Sequence, residues 1–242
     1  MKRISAYFRP ESIGEALALL DRPGAVLIGG GTKLNSRVAP GPMSVVDLQL
    51  AGLDGIDCID TQKLRIGATT TLQQLVDADE IPAVLREAAR RELPSTLRAQ
   101  STLGGAIVSA DRESELLAAL LVHDAVVSVA RPQGTEETKL DDLLKRLPLG
   151  AQEVVTSVVI DTAGTASLVR TGRTPADKAI VAAAARVGED GRRRLALSGV
   201  ASTPVLVEES DQLDPPGDFR GSGEYRRALA RVLVSRAIEG VS

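Results

Sequence analysis

Two glycine-rich turns carry the residues of this chain best placed to do chemistry: Ile28-Gly29-Gly30-Gly31-Thr32-Lys33-Leu34 and Ser101-Thr102-Leu103-Gly104-Gly105-Ala106-Ile107. In each, an apolar run leads into consecutive glycines beside a hydroxyl residue, so the backbone can come close to a ligand and offer N–H donors that no side chain obstructs. Phosphate suits such donors, and the two turns together read as a cradle for a dinucleotide. The first turn lacks the G-x-x-x-x-G-K-[ST] spacing of a P-loop, and neither gives G-x-G-x-x-G between a strand and a helix. One glycine cluster alone would read as a tight turn. The pair, with its surroundings, points to binding.

Rigid elements must hold these turns. Ser12-Ile13-Gly14-Glu15 is a capping box, and Ile13, Ala16, Leu17 and Leu20 follow at helical spacing, which predicts a helix to about Leu20. Residues 25–28 read as a buried strand delivering the first turn and 44–48 as the next strand, a small α/β unit ending near Leu53. Residues 56–59 and 64–67 read as a hairpin, and Thr71-Leu72-Gln73-Gln74 as a second capping box. Pro82 opens a helix to about Leu93 with Arg86, Arg90 and Arg91 on a solvated face, and the second glycine turn follows it. Residues 113–122 read as a helix, 125–130 and 154–160 as strands, and 131–139 as a polar linker. From Ala163 the pattern is two strands, a hairpin at Glu189-Asp190-Gly191, a third strand, a loop over 211–223 and a final helix from about Glu224. Leu229, Val232 and Leu233 form that helix's apolar stripe.

These segments match a family in order and over nearly the whole chain. "FRPESIGEALALL", "IGGGTKL", "LRAQSTLGGAIVSADRESEL", "LSGVASTPVLVEE" and "EYRRALARVLVSRAIEG" resemble successive parts of the FAD-binding medium subunit of molybdenum hydroxylases, the group that includes carbon monoxide dehydrogenase and the flavin domain of xanthine dehydrogenase. The resemblance implies an α+β architecture. It would be a two-subdomain FAD-binding fold of the PCMH/VAO type, over 1–53 and 54–162, and a C-terminal αβ domain over 163–242 with a three-stranded antiparallel sheet and helices. It also implies an oxidoreductase subunit that takes electrons from iron–sulfur clusters through non-covalent FAD to a terminal acceptor. Molybdopterin and the 2Fe-2S clusters would then sit in a large and a small partner subunit.

Carried over by residue, the resemblance assigns the FAD pyrophosphate to the segment from Ile28, Gly29, Gly30 and Gly31 through Thr32, Lys33 and Leu34, and the second cofactor contact to Ser101, Thr102, Gly104 and Gly105. Asp111 and Glu115 fall where the family places polar and acidic acceptors for a sugar or ribityl hydroxyl; a solvated carboxylate at a helix start is the alternative. The family's K-x₃-R-x₃-D-x-A is met by Arg173, Asp177 and Ala179, with Val169 at the lysine position and Arg170 beside it as a flavin-proximal cation. Lys33 stands where Asp or Ser is usual, its cation either reaching a phosphate or solvated. Ala106 replaces the usual Asn. These departures keep open a structural or regulatory paralogue of the same fold that binds flavin weakly or not at all; a stand-alone flavin reductase of this fold is a third reading.

Composition bounds the rest. Hydrophobic residues make up 43% of 242, ample for a core, and 29 basic against 32 acidic residues with 2% aromatics give no basic, aromatic-interleaved stripe for nucleic acid. No apolar run is long enough to span a bilayer, so a cytoplasmic protein is expected. The single cysteine, Cys58, lies in an apolar alternation and reads as a packing residue; alone it can hold neither a disulfide nor a cluster. His123, the single histidine, reads as a helix end.

Overall fold

The computed structural model describes residues 3–33, 42–174, 177–208 and 213–241. Leu34, the last residue of the first turn, lies outside them. β1 (Arg3–Phe8) and β2 (Ala25–Ile28) flank β3 (Pro42–Asp47) in a parallel sheet of order β1-β3-β2. Between β1 and β2 runs α1 (Ile13–Leu20), its buried Ala16, Leu17, Leu19 and Leu20 clustered with Val46 and Leu48. The Ser12 hydroxyl accepts from the Glu15 amide at 3.2 Å, but the Glu15 carboxylate accepts from Glu11 rather than closing the box on Ser12. Ile28 pairs with Asp47, so the first glycine turn leaves the carboxyl end of β2, where open parallel sheets bind ligands.

A second, antiparallel sheet has the order β4-β5-β8-β6-β7, from β4 (Ile56–Cys58), β5 (Lys63–Gly67), β6 (Val126–Arg131), β7 (Gly134–Lys139) and β8 (Val154–Asp161). β7 corrects the polar linker: its sequence GTEETK is exposed along nearly its whole length and has no apolar alternation to announce a strand, yet it pairs with β6 residue by residue. Cys58 is exposed, not packed, because β4 is an edge strand left uncovered beyond Ile56. The helices are α2 (Leu72–Asp77), with the Thr71–Gln74 capping box complete, α3 (Ala83–Glu92), α4 (Ser95–Arg98), α5 (Leu103–Ser109), α6 (Glu115–Val122) and α7 (Leu140–Arg146). Apolar all round after Glu115, α6 is buried at every residue and packs against α3 and the third sheet.

That third sheet is antiparallel, of order β12-β11-β10-β9: β9 (Thr165–Thr171), β10 (Val181–Val187), β11 (Arg193–Ser198) and β12 (Val205–Val207). It has four strands rather than the expected three; β12, three residues long, is too short to show a period. α8 (Gly223–Glu239) packs on β9 and β10 through Ala230, Leu233 and Ala237. Among the described residues no helix is long and apolar enough to cross a membrane.

Candidate functional site

The two glycine turns meet. Ser101 Oγ donates to Thr32 Oγ1 at 2.9 Å, and a Cβ on Gly30 would stand 1.5 Å from the Gln100 carbonyl oxygen. Gly29 likewise faces the Thr102 side chain. Side-chain absence at these positions lets one turn lie on the other, whereas the sequence suggested an approach to ligand. Gly31 serves the turn itself, with φ +70° in the left-handed region.

Their hydrogen bonds are divided unequally. In the second turn, Leu103 N–H donates to the Thr70 carbonyl at 2.9 Å and Gly104 N–H to that of Ala68 at 2.8 Å. Gly105 N–H donates to Thr102 Oγ1 at 3.2 Å and Ala106 N–H to the Thr102 carbonyl at 2.9 Å. All four donors are used inside the protein, so this turn braces. In the first turn, the N–H groups of Gly30, Gly31 and Thr32 meet no acceptor among the described residues. They border a cleft of about 380 Å³, a volume typical of small-molecule sites. Leu72, Leu93, Ala106, Val108, Leu149 and Val155 give it apolar walls. Unpartnered amides at an apolar cleft fit a ligand that joins phosphate to flat ring systems.

One end of the cleft is charged. Lys33 and Lys178 line it, and both ammonium groups approach the same oxygen of Asp111, Lys178 at 2.5 Å and Lys33 at 3.8 Å. Partial burial is the largest single influence on Asp111 and opposes its ionisation, but the Lys178 hydrogen bond and charge, the Glu113 amide and the Lys33 charge together hold the carboxyl below its usual range. Burial likewise is the largest influence on Lys178 and opposes its charge, but the bond to Asp111 together with the charges of Asp111, Glu92 and Glu113 raises its pKa overall. Glu92, also on the cleft wall, accepts from Ser114 Oγ at 2.9 Å, and desolvation pushes its pKa up against the pull of Lys178. Glu153 on the same wall is held by Arg131, Arg146 and the Gly150 amide.

Residues 2–162 match the family described as the FAD binding domain in molybdopterin dehydrogenase. This chain belongs to that family. It is 34% identical over 252 residues to the uncharacterized protein YgfM of Escherichia coli, covering 96% of this chain and 94% of that one. To the carbon monoxide dehydrogenase medium chain of Afipia carboxidovorans it is 28% identical over 275 residues, covering 96% and 95%. The structure of reconstituted CO dehydrogenase from Oligotropha carboxidovorans superposes with a TM-score of 0.88 at 26% identity over 100% of this chain and 98% of that one. The family is one of FAD-dependent oxidoreductase subunits, and the chain's α+β architecture agrees with its solved members.

Of the residues the resemblance singles out, Ile28, Gly29, Gly30, Gly31, Thr32, Lys33, Ser101, Thr102, Gly104 and Gly105 come together on the cleft. Asp111 stands just behind it, bonded to Lys178. Glu115 and Arg170 are brought to each other instead, at 2.8 Å, away from the cleft wall. Their side chains are 5% and 12% exposed, with Arg91 3.7 Å from Glu115 on the other side, so this is a buried ion pair tying α6 to β9. Sequence reasoning missed Glu92 and Lys178. Glu92 ends α3 right after Arg90 and Arg91, which read as part of a solvated face, and Lys178 occupies the x position between Asp177 and Ala179; nothing local marks either.

Proposed function

We propose that this chain is the FAD-binding electron-transfer subunit of a molybdopterin-dependent hydroxylase or dehydrogenase. It would work with a large molybdopterin-binding subunit and a small 2Fe-2S subunit in the cytoplasm. The observation that carries the reading is the run of unpartnered amides from Gly30 to Thr32 on an apolar cleft, in a chain of this family. The proposed modules are 1–53, 54–162 and 163–242, with the cleft between the first two.

When bound, FAD supplies the redox chemistry that links iron–sulfur clusters to a terminal acceptor. The chain's own residues bind and orient it. The Gly30, Gly31 and Thr32 amides donate to the pyrophosphate, and the braced second turn keeps the first from collapsing into the space they face. Leu72, Leu93 and Val155 give flat rings an apolar seat and keep water from it. The single cysteine and single histidine of these 242 residues are too few to ligate the clusters, so the clusters that feed the flavin would lie outside them.

Reconstitution of the full chain with excess FAD tests the reading. A flavin absorbance band that stays with the folded protein, and saturable quenching of flavin fluorescence, are expected; a folded chain showing neither sinks it. Co-purification from the native host should recover the two partner subunits, and a lone homo-oligomer with full substrate turnover would count against the subunit assignment.

A further inference from the structure

Lys33 belongs to the first glycine turn, Lys178 to the segment leading into β10, and Asp111 to the turn after α5, yet the two ammonium groups converge on one Asp111 oxygen. Lys178 is fixed at both ends, since its backbone carbonyl accepts from Arg220, which in turn pairs with Glu113. Asp111 is fixed as well, accepting the Glu113 amide at 3.1 Å. Two cations thus share one carboxylate beside the cleft, and the second acid on that wall, Glu92, is driven by burial toward its neutral form. An ammonium group has three donors, so Lys178 can hold Asp111 and still donate to a ligand. The unpartnered Gly30–Thr32 amides end one residue before Lys33.

We propose that Lys178, together with Lys33, is a ligand for the diphosphate of a dinucleotide, with Asp111 as the residue that positions both lysines. The proposal rests on the FAD reading for the identity of the dinucleotide, but its chemistry needs only a diphosphate. The C-terminal module then takes part in holding the cofactor, rather than merely packing against the modules that do.

The test compares wild-type full chain with Lys178→Met, Lys178→Arg and Asp111→Asn, titrating FAD, ADP as the bare diphosphate probe, and riboflavin, which has no phosphate. Lys178→Met should weaken FAD and ADP about tenfold, the value of one charge-assisted hydrogen bond, and lower the salt dependence of binding while leaving riboflavin unchanged. Lys178→Arg should recover most of the affinity. Asp111→Asn takes away the charged anchor of both lysines, so it should weaken FAD and ADP while leaving riboflavin unchanged. A folded Lys178→Met protein with unaltered FAD and ADP affinity overturns the proposal and leaves the flavin reading intact. Equal weakening by Lys178→Met and Asp111→Asn, with riboflavin weakened too, overturns it in favour of a structural clasp. A wild-type chain that binds ADP but no flavin keeps this site and loses the FAD reading; one that binds neither loses both.

Discussion

The Ser101 hydroxyl donates to the Thr32 hydroxyl at 2.9 Å, joining two turns that lie 69 residues apart. With Thr32 Oγ1 engaged as an acceptor, the backbone of the first turn is held against the second while its amides stay turned to the cleft. Ser101→Ala should therefore cost about 0.5–1.5 kcal/mol of stability, the net worth of one hydrogen bond, and weaken FAD by a similar free energy. Denaturant unfolding and flavin titration check both, and unchanged FAD affinity would mean that the latch does not shape the cradle.

Gly30→Ala tests the apposition more severely. Its Cβ would stand 1.5 Å from the Gln100 carbonyl oxygen, a backbone atom that cannot swing aside as a side-chain tip would. The turns must part, at about 1–3 kcal/mol by analogy with overpacked cores. Flavin binding should be lost along with that stability. Full FAD affinity in the alanine variant would show that the contact is dispensable.

Local signals made much of this architecture legible. Capping residues marked α1 and α2, apolar composition marked every strand of the second sheet but β7, and the paired glycines of the two turns marked the cleft. What escaped was set by tertiary contact. The polar sequence of β7 becomes a strand only because β6 offers an open edge, and Cys58 is exposed because β4 lies at the rim of its sheet. Lys178 reaches the cleft from a segment whose carbonyl is held by Arg220, far along the chain, with its ammonium group held by Asp111. The amides of the second turn looked available in sequence and are taken up by Ala68, Thr70 and Thr102.

The Glu115–Arg170 pair has a role in packing that can be separated from cofactor binding. Removing one partner leaves a charge stranded beside the buried α6, so Arg170→Met should destabilise the fold by about 3 kcal/mol, softened by Arg91. The double replacement Glu115→Leu with Arg170→Met should recover most of that, because apolar residues need no partner. The flavin spectrum and potential should stay as in wild type. A shift in potential with the single variant would return Arg170 to the neighbourhood of the flavin.

Ala106 lines the cleft with its amide already bonded to the Thr102 carbonyl, so only its side chain faces the ligand space. Ala106→Asn adds donors and an acceptor there and should tighten FAD by about 0.5–1.5 kcal/mol. Parallel titrations decide it, and equal or weaker binding would show that the second turn presents its side chain away from the cofactor.

His123 gives the chain a pH dependence of its own. Buried at the end of α6, it lies 2.7 Å through Nδ1 from the Asp161 carbonyl oxygen. A carbonyl can only accept, so Nδ1 carries the proton and Nε2 is bare; Nε2 is buried with no partner among the described residues. Protonating Nε2 would create an unsatisfied buried donor. Burial first, and then the nearby Arg186 charge, push the pKa from 6.5 down to about 4. The unfolded chain therefore binds a proton between pH 6.5 and about 4 that the folded chain refuses, so stability is complete above that window and declines as pH falls through it. The loss amounts to about 3 kcal/mol and levels off below pH 4 so far as this residue is concerned. His123→Asn, which keeps a donor for the Asp161 carbonyl but cannot titrate, should flatten this part of the stability profile. Urea unfolding of both proteins at steps from about pH 7.5 to about 4 makes the comparison, and parallel profiles would show that the acid sensitivity arises elsewhere.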